Sequence, residues 1–247
     1  SMGDTILKVT NMTKRFGDLL VLDDISFDVR EKEFLCIVGP TGCGKTTFLN
    51  SLTRLYQADA GSILFKGEPI DPRKHDLAYI FQEYSTMEWL TVEENVRFGL
   101  EIKHYPEDVI RERVERVLEI VELKKYRKFY PSQLSTSMLQ RVVIARAFAV
   151  QPKLLLMDEP YGQLDLQLKY KLEDELLALW KETGTTVIFI THNIEEAVYL
   201  SDRILVLTNK PTHIKEFLVN DIPRPRKVTS PDFVALRNQV TDLIKWW

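Results

Sequence analysis

Gly39-Pro40-Thr41-Gly42-Cys43-Gly44-Lys45-Thr46-Thr47 fits the phosphate-loop pattern G-x-x-x-x-G-K-[ST] at every fixed position. Just before it runs Phe34-Leu35-Cys36-Ile37-Val38, an unbroken apolar stretch that reads as a buried strand. Just after it, Thr47 to Leu55 reads as a helix. Strand, glycine loop and helix form the context that the motif needs. The glycines let backbone N–H groups converge on phosphate oxygens, and the positive end of the helix dipole faces the same anion. Lys45 is placed to reach the β- and γ-phosphates of a nucleotide, and the Thr46 hydroxyl to ligate Mg²⁺.

Upstream, Leu7 to Met12 and Val21 to Val29 alternate apolar and polar residues, as half-exposed strands do. They are expected to form an antiparallel layer ahead of the loop. Lys14 to Asp18 reads as the turn between them, with Phe16 on a short loop where its ring can stack on a purine or pack on the core. Downstream, Gly61 to Gly67 reads as a short strand closed by a glycine turn, and Leu77 to Phe81 as a buried strand ending at Gln82.

From Glu83 to about Val150 the pattern turns helical. Ile110, Val114, Val117, Leu118 and Val121 recur at helical spacing after Pro106, and a second helix is expected from Met138 through Ala149. Leu154 to Glu159 returns to a buried strand, now ending in two carboxylates. Lys169 to Glu182 reads as a helix with Leu172, Leu176, Leu179 and Trp180 inward. Thr185 to Ile190 is a strand ending at Thr191-His192, Ile194 to Leu200 a helix, and Arg203 to Leu207 a strand. Beyond Thr208 the pattern is less regular. Pro223-Arg224-Pro225-Arg226-Lys227 reads as an extended basic link, and Val234, Leu236, Val240, Leu243 and Ile244 mark a terminal helix.

Three strand ends besides the loop therefore carry polar groups: Gln82, Asp158-Glu159 and His192. In a parallel sheet such groups are expected along one edge. Asp158 suits the Mg²⁺ shell, since hard cations take oxygen ligands. Glu159 suits positioning or deprotonating a water, His192 suits the γ-phosphate, and Gln82 suits sensing phosphate and metal together.

With 33 Lys+Arg against 36 Asp+Glu the net charge is −3, so the basic footprint of a nucleic-acid binder is missing and no nucleic-acid partner is expected. No apolar run approaches the roughly 20 residues of a membrane span. Ser1-Met2-Gly3-Asp4 is polar, so no secretory leader is expected, and Ser1 reads as a cloning remnant. Cys36 and Cys43, in strand and loop, fit a reducing compartment better than a disulfide, and Cys43 is either a reactive thiol or an inert small residue.

Taken in order, these motifs resemble the ATP-binding-cassette ATPases over roughly residues 5 to 215: the phosphate loop Gly39 to Thr46, Phe81-Gln82-Glu83, the second Walker segment Leu154 to Glu159, the D-loop-like Gly162-Gln163-Leu164-Asp165, and His192. The resemblance implies an α/β fold with a P-loop NTPase core, that is, a mixed sheet with an antiparallel β layer, plus an α-helical insert. The core is expected at residues 1–83 and 151–215, the insert at 84–150, and a C-terminal extension at 216–247. It implies ATP and Mg²⁺ as cofactors, with Phe16 stacked on adenine, Gly39 to Thr47 and Gln82 on the nucleotide, Thr46, Gln82 and Asp158 at the metal, and Glu159 and His192 catalytic. It also implies a second cassette closing head to tail, permease subunits that the insert docks on, an extracytoplasmic solute-binding protein, and a place on the inner membrane face. Trp89 to Val96 and His192 to Arg203 resemble importer ATPases for nitrate, sulfonates and taurine. A soluble cassette without a transporter, or one that has lost hydrolysis, are the competing readings.

The family signature L-S-G-G followed by Q or M appears here as Leu134-Ser135-Thr136-Ser137-Met138, without its glycines. Thr136 and Ser137 add side-chain atoms where the backbone is expected to approach the partner's γ-phosphate. Ser135 is retained. Either the chain pairs with a different cassette whose intact signature serves this loop, or a homodimer tolerates the change at lower turnover. Gln163, where a small residue is usual, also departs.

Overall fold

The computed structural model describes residues 3–40, 44–52, 57–81, 85–161 and 164–245. It resolves into two compact units: residues 1–76 with 186–247, and residues 77–185.

The first unit begins with β1 (Thr5–Phe16) and β2 (Leu19–Arg30), then β3 (Phe34–Val38), α1 (Lys45–Leu52), β4 (Ala60–Phe65) and β5 (Glu68–Pro69). β2-β1-β4-β5 form the expected antiparallel sheet. The stretch read as a turn at Lys14 to Asp18 is mostly strand. Arg15 pairs with Leu20 and Phe16 with Leu19, so the hairpin closes on Gly17-Asp18 alone and Phe16 ends β1 rather than sitting on a loop. Alternation hid this because β1 is irregular, with register shifts between Val9 and Arg15.

The same unit holds β8 (Thr186–Thr191), α6 (Ile194–Leu200), β9 (Arg203–Leu207), β10 (Ile214–Val219) and α7 (Pro231–Lys245). β9, β3 and β8 run parallel, and β10 adds antiparallel to β9. β3 and β8 are buried along their whole length, which explains their unbroken apolar reading. Arg203, at the start of β9, stitches the layers. Its guanidinium grips the Glu33 carboxylate through Nε and Nη2, and reaches the Asp28 carboxylate (3.2 Å) and carbonyl (2.9 Å) on β2.

Two readings of the C-terminal stretch change. β10 was not expected. And Pro223 to Lys227, read as an extended basic link, is held to the fold, because Arg226 is 6% exposed and turned inward. Its Nη1 donates to the carbonyls of Val198, Tyr199 and Ser201, while Arg224 Nη2 takes that of Leu200. These are the carbonyls that a helix leaves without partners at its C-terminus, so the two arginines cap α6. The terminal helix α7 is present as expected.

The second unit holds β6 (Leu77–Ile80), α2 (Val92–Ile102), α3 (Glu107–Ile120), α4 (Thr136–Ala149), β7 (Leu154–Asp158) and α5 (Leu166–Thr183). β6 and β7 pair in parallel. α2 was missed as an element, although Thr91 and Glu94 form a full capping box at its start. Gly99 blurs its pattern. Its reason is packing: a Cβ there would come within 2.7 Å of Val150 Cγ1 at the end of α4. Among the described residues no helix is long and apolar enough to cross a membrane.

Candidate functional site

β3 delivers the chain to Gly39, which is buried, and Pro40. Thr41, Gly42 and Cys43 lie outside the described residues. The loop resumes at Gly44 with φ +89°, a conformation that side chains resist. A Cβ at Gly44 would also stand 3.1 Å from Thr212 Oγ1 and 3.3 Å from Val21 Cγ1. The backbone conformation thus favours glycine, and the close neighbours leave little room for a side chain. Thr212 was not read from the sequence, yet it ties the chain after β9 to β2: its N–H donates to the Val21 carbonyl (2.7 Å) and its carbonyl accepts from Asp23 N–H (2.8 Å). Only the folded sheet brings it beneath the loop.

Lys45 opens α1, and its Nζ donates to the Gly39 carbonyl at 3.5 Å, across the base of the loop. Thr46 is exposed and Thr47 half-buried. The Phe48 ring lies 5.4 Å from that of Phe27, so the helix is anchored in the core while its first turn stays open.

His192 leaves the end of β8. Because Val38 pairs with Thr191 in the parallel register, Gly39 and His192 emerge from neighbouring strands at the same end. This is the strand-edge arrangement expected of them. Thr191 Oγ1 accepts from Asn193 N–H (3.0 Å), and the Asn193 side chain caps α6 by accepting from Glu196 N–H (3.0 Å). His192 itself is exposed. Phe16 is 41% exposed at the tip of its hairpin, with Lys14 Nζ 5.2 Å from the ring centroid. Cys36 lies deep in β3, where burial pushes its thiol well above its ordinary value and Glu196 adds to the shift.

In the second unit β7 is buried from Leu154 to Met157, then presents Asp158 and Glu159, both half-buried. Glu159 has φ +44°, an uncommon conformation for a residue with a side chain. Such strain persists where the surroundings dictate it and clusters at functional positions. The next residues enforce it: Pro160 is buried, and Tyr161 donates its hydroxyl to the Leu172 carbonyl of α5 (2.9 Å). Asp165 caps α5 by accepting from Leu168 N–H (3.2 Å). Gln82, Gly162 and Gln163 lie outside the described residues.

The signature-like segment starts α4. Ser135 is the cap, its Oγ accepting from Met138 N–H (3.3 Å) and lying 3.3 Å from Ser137 Oγ. Ser135 and Thr136 are exposed, while Ser137 and Met138 are half-buried. The Ser135 hydroxyl thus caps an open helix start, with the Ser137 hydroxyl beside it. Asn95 is a further residue that sequence reading missed. Its side-chain amide donates to the carbonyls of Met87 (3.1 Å), Leu90 (3.0 Å) and Thr91 (2.9 Å), so it fixes the turn that displays Trp89.

A strand–loop–helix with this glycine geometry, and a buried strand ending in two carboxylates, agree with what comparison with known proteins finds. The model of the ABC transporter family matches residues 22–162. The chain belongs to the ABC transporter family. An uncharacterized ABC transporter ATP-binding protein of Methanocaldococcus jannaschii is 42% identical over 97% of this chain and 91% of its own length. The aliphatic sulfonates import ATP-binding protein SsuB of Bacillus thuringiensis is 40% identical over 92% of this chain and 90% of its own. Among solved structures, cbiO1 from Clostridium perfringens, part of the ABC transporter complex cbiONQ, superposes with a TM-score of 0.80 at 25% identity, covering 98% of this chain and 99% of that one. The chain is thus an ABC transporter ATP-binding subunit with the α/β fold of these ATPases, and it is an ATPase by membership.

Proposed function

We propose that this subunit drives import of a small anion or organic solute of the nitrate, sulfonate or taurine type. The observation that carries the reading is the match to sulfonate-import ATP-binding proteins over nine-tenths of both chains, since it spans both compact units. The subunit would work at the cytoplasmic face of the inner membrane, held there by permease subunits and served by a solute-binding protein outside. Exposed aromatic side chains in the second unit, Phe81, Trp89, Phe129 and Tyr130, support a protein partner on that unit, since aromatic residues are enriched at such interfaces.

In this reading the backbone of Gly39 to Thr47 and the Lys45 ammonium cradle the phosphates, and Phe16 stacks on the base. Thr46 and Asp158, with Gln82, offer hard oxygen donors of the kind magnesium takes. When bound, Mg²⁺ neutralises charge on the transferred phosphoryl group. Glu159 orients and deprotonates the attacking water, and His192 bonds the γ-phosphate.

Lys45→Ala removes a charge-assisted hydrogen bond, a change that costs about 1.5–3 kcal/mol. ATP affinity is expected to fall about 10- to 100-fold in a fluorescent-nucleotide titration, and unchanged affinity contradicts the assignment.

The start of α4 favours a mixed dimer. Thr136 and Ser137 occupy the places of two signature glycines, and the Ser135 hydroxyl is engaged within its own helix. In the pairing we favour, a different cassette lends an intact signature to this chain's phosphate loop. Affinity purification of the tagged chain from solubilised membranes tests both points. A multi-span permease and a second cassette of different sequence are expected. This chain alone with the permease means a homodimer, and recovery without any permease overturns the transport reading.

A further inference from the structure

Helical periodicity puts Glu173 and Glu175 beside the apolar face of α5, yet they are 1% and 9% exposed. Glu175 faces α4, where Arg141 Nε donates to its Oε2 at 3.1 Å, and both side chains are about nine-tenths buried. Ile144, Leu172 and Leu176 line a small void together with the pair. Arg141 Nη2 and Glu175 Oε1 are buried with no hydrogen-bond partner among the described residues. As a source of stability this is a poor arrangement. Desolvating two charges costs several kcal/mol per ion, and well-packed apolar residues of similar volume often serve as well or better. What such a pair supplies, and apolar packing does not, is one defined register between two helices.

The helices it joins are not arbitrary. Arg141 stands six residues after the Ser135 cap, on the helix whose start carries the signature-like segment. Glu175 stands one turn beyond Leu172, whose carbonyl holds the Tyr161 hydroxyl. Tyr161 is two residues after Glu159. Two side-chain contacts therefore tie these parts together: Arg141–Glu175 joins α4 to α5, and Tyr161–Leu172 joins α5 to the segment carrying Glu159.

We propose that Arg141 and Glu175 are positioning residues for ATP hydrolysis, setting the register of the signature-like start of α4 against α5 and, through Tyr161, against the Glu159 segment. The inference rests on the roles given above to Glu159 and to the start of α4. It predicts that the pair governs turnover more than stability or ATP binding, because neither residue belongs to the phosphate loop.

The pH dependence has a definite sign. Burial pushes the Glu175 carboxyl up to about 7 against the pull of Arg141; Glu122 at the end of α3 raises it further, and Lys171 on α5 opposes. Lys171 is itself paired with Glu122 at 2.7 Å. A raised carboxylate contributes stability that is full below its ordinary value near 4.5 and is lost as pH rises through about 7. Ionisation, however, is what completes the pair with Arg141. Stability and turnover thus move in opposite directions across neutral pH.

The test uses the chain in the assembly in which the wild type hydrolyses ATP. The doubly substituted Arg141→Met, Glu175→Leu chain is expected to match or exceed the wild-type melting temperature, keep its KM for ATP within about twofold, and lose at least about tenfold in kcat, as misplacement alone can do. Glu175→Gln, nearly isosteric, serves should the double variant fail to fold. Its melting temperature relative to wild type is expected to climb from pH 5 to pH 8, while it lacks the rise in turnover that the wild type shows across pH 7. A folded variant with kcat within twofold of wild type, or with the wild-type pH profile, overturns the proposal. Glu159→Gln, assayed alongside, separates the two layers. If it stays active, the roles on which the inference rests fall; if it is inactive while the pair variants are normal, only the inference falls.

Discussion

Glu159→Gln is expected to lower ATP turnover at least about 100-fold while ATP affinity stays within about twofold of wild type. The size follows from the role proposed for Glu159, since a positioned general base contributes about 10² to 10⁴ in rate. The clean separation of binding from turnover follows from the structure. Glu159 sits one residue past the end of β7, held at φ +44° by buried Pro160 and by the Tyr161 bond to α5. Glutamine has the same length and branching, so it inherits that backbone without new strain and leaves Asp158 where it is. It keeps the capacity to hold a water by hydrogen bonds but cannot take its proton. Phosphate release measured beside nucleotide binding decides the matter: turnover within about threefold of wild type removes Glu159 from the role of base, whatever the effect on affinity.

The elements that carry this chemistry were legible for one reason. Most are fully buried on a parallel strand or stand at its end; β6, read as a buried strand, is half-buried from Leu77 to Tyr79, and Phe16 ends an antiparallel strand. Phe34 to Val38 and Leu154 to Met157 are apolar at every position because both faces are covered, and the polar residue that ends each run marks the strand edge. Ile194 to Leu200 and Arg203 to Leu207 appear in the structure with the bounds read from sequence. What escaped was of two kinds. β10 and the end of β1 are half-exposed, so their alternation is weak, and pairing with distant strands decided them. The buried charges escaped because their partners are remote. Arg203 meets Glu33 from 170 positions away, Arg141 meets Glu175 from 34, and Arg226 meets the carbonyls of α6 from 25 to 28. A periodicity that sorts residues by polarity assigns every one of these to solvent.

Arg226 gives that lesson a measurable consequence, because Arg226→Ala is expected to cost about 3–5 kcal/mol. The helix α6 has seven residues, so the carbonyls of its last turn are a large share of its polar groups. Arg226 donates to three carbonyls there and, through Nε, to Ile222 at 2.9 Å. Burial pulls its guanidinium down to about 10, which still leaves it charged at neutral pH, at the negative end of the helix dipole. Alanine removes the charge but leaves the carbonyls in place. Asn220 still reaches the Val198 carbonyl (2.9 Å) and Arg224 that of Leu200, while those of Tyr199 and Ser201 lose the donor they had. Each buried polar group left unsatisfied costs about 1–3 kcal/mol. For a chain of this size that amounts to roughly 10 °C in melting temperature. Lysine recovers only part of it, since a point charge cannot reproduce the fork that spans neighbouring carbonyls. A melting temperature within about 2 °C of wild type for Arg226→Ala would return Pro223 to Lys227 to the status of a link that braces nothing. A drop of the expected size makes the extension an integral brace for α6, the helix that Asn193 caps directly after His192.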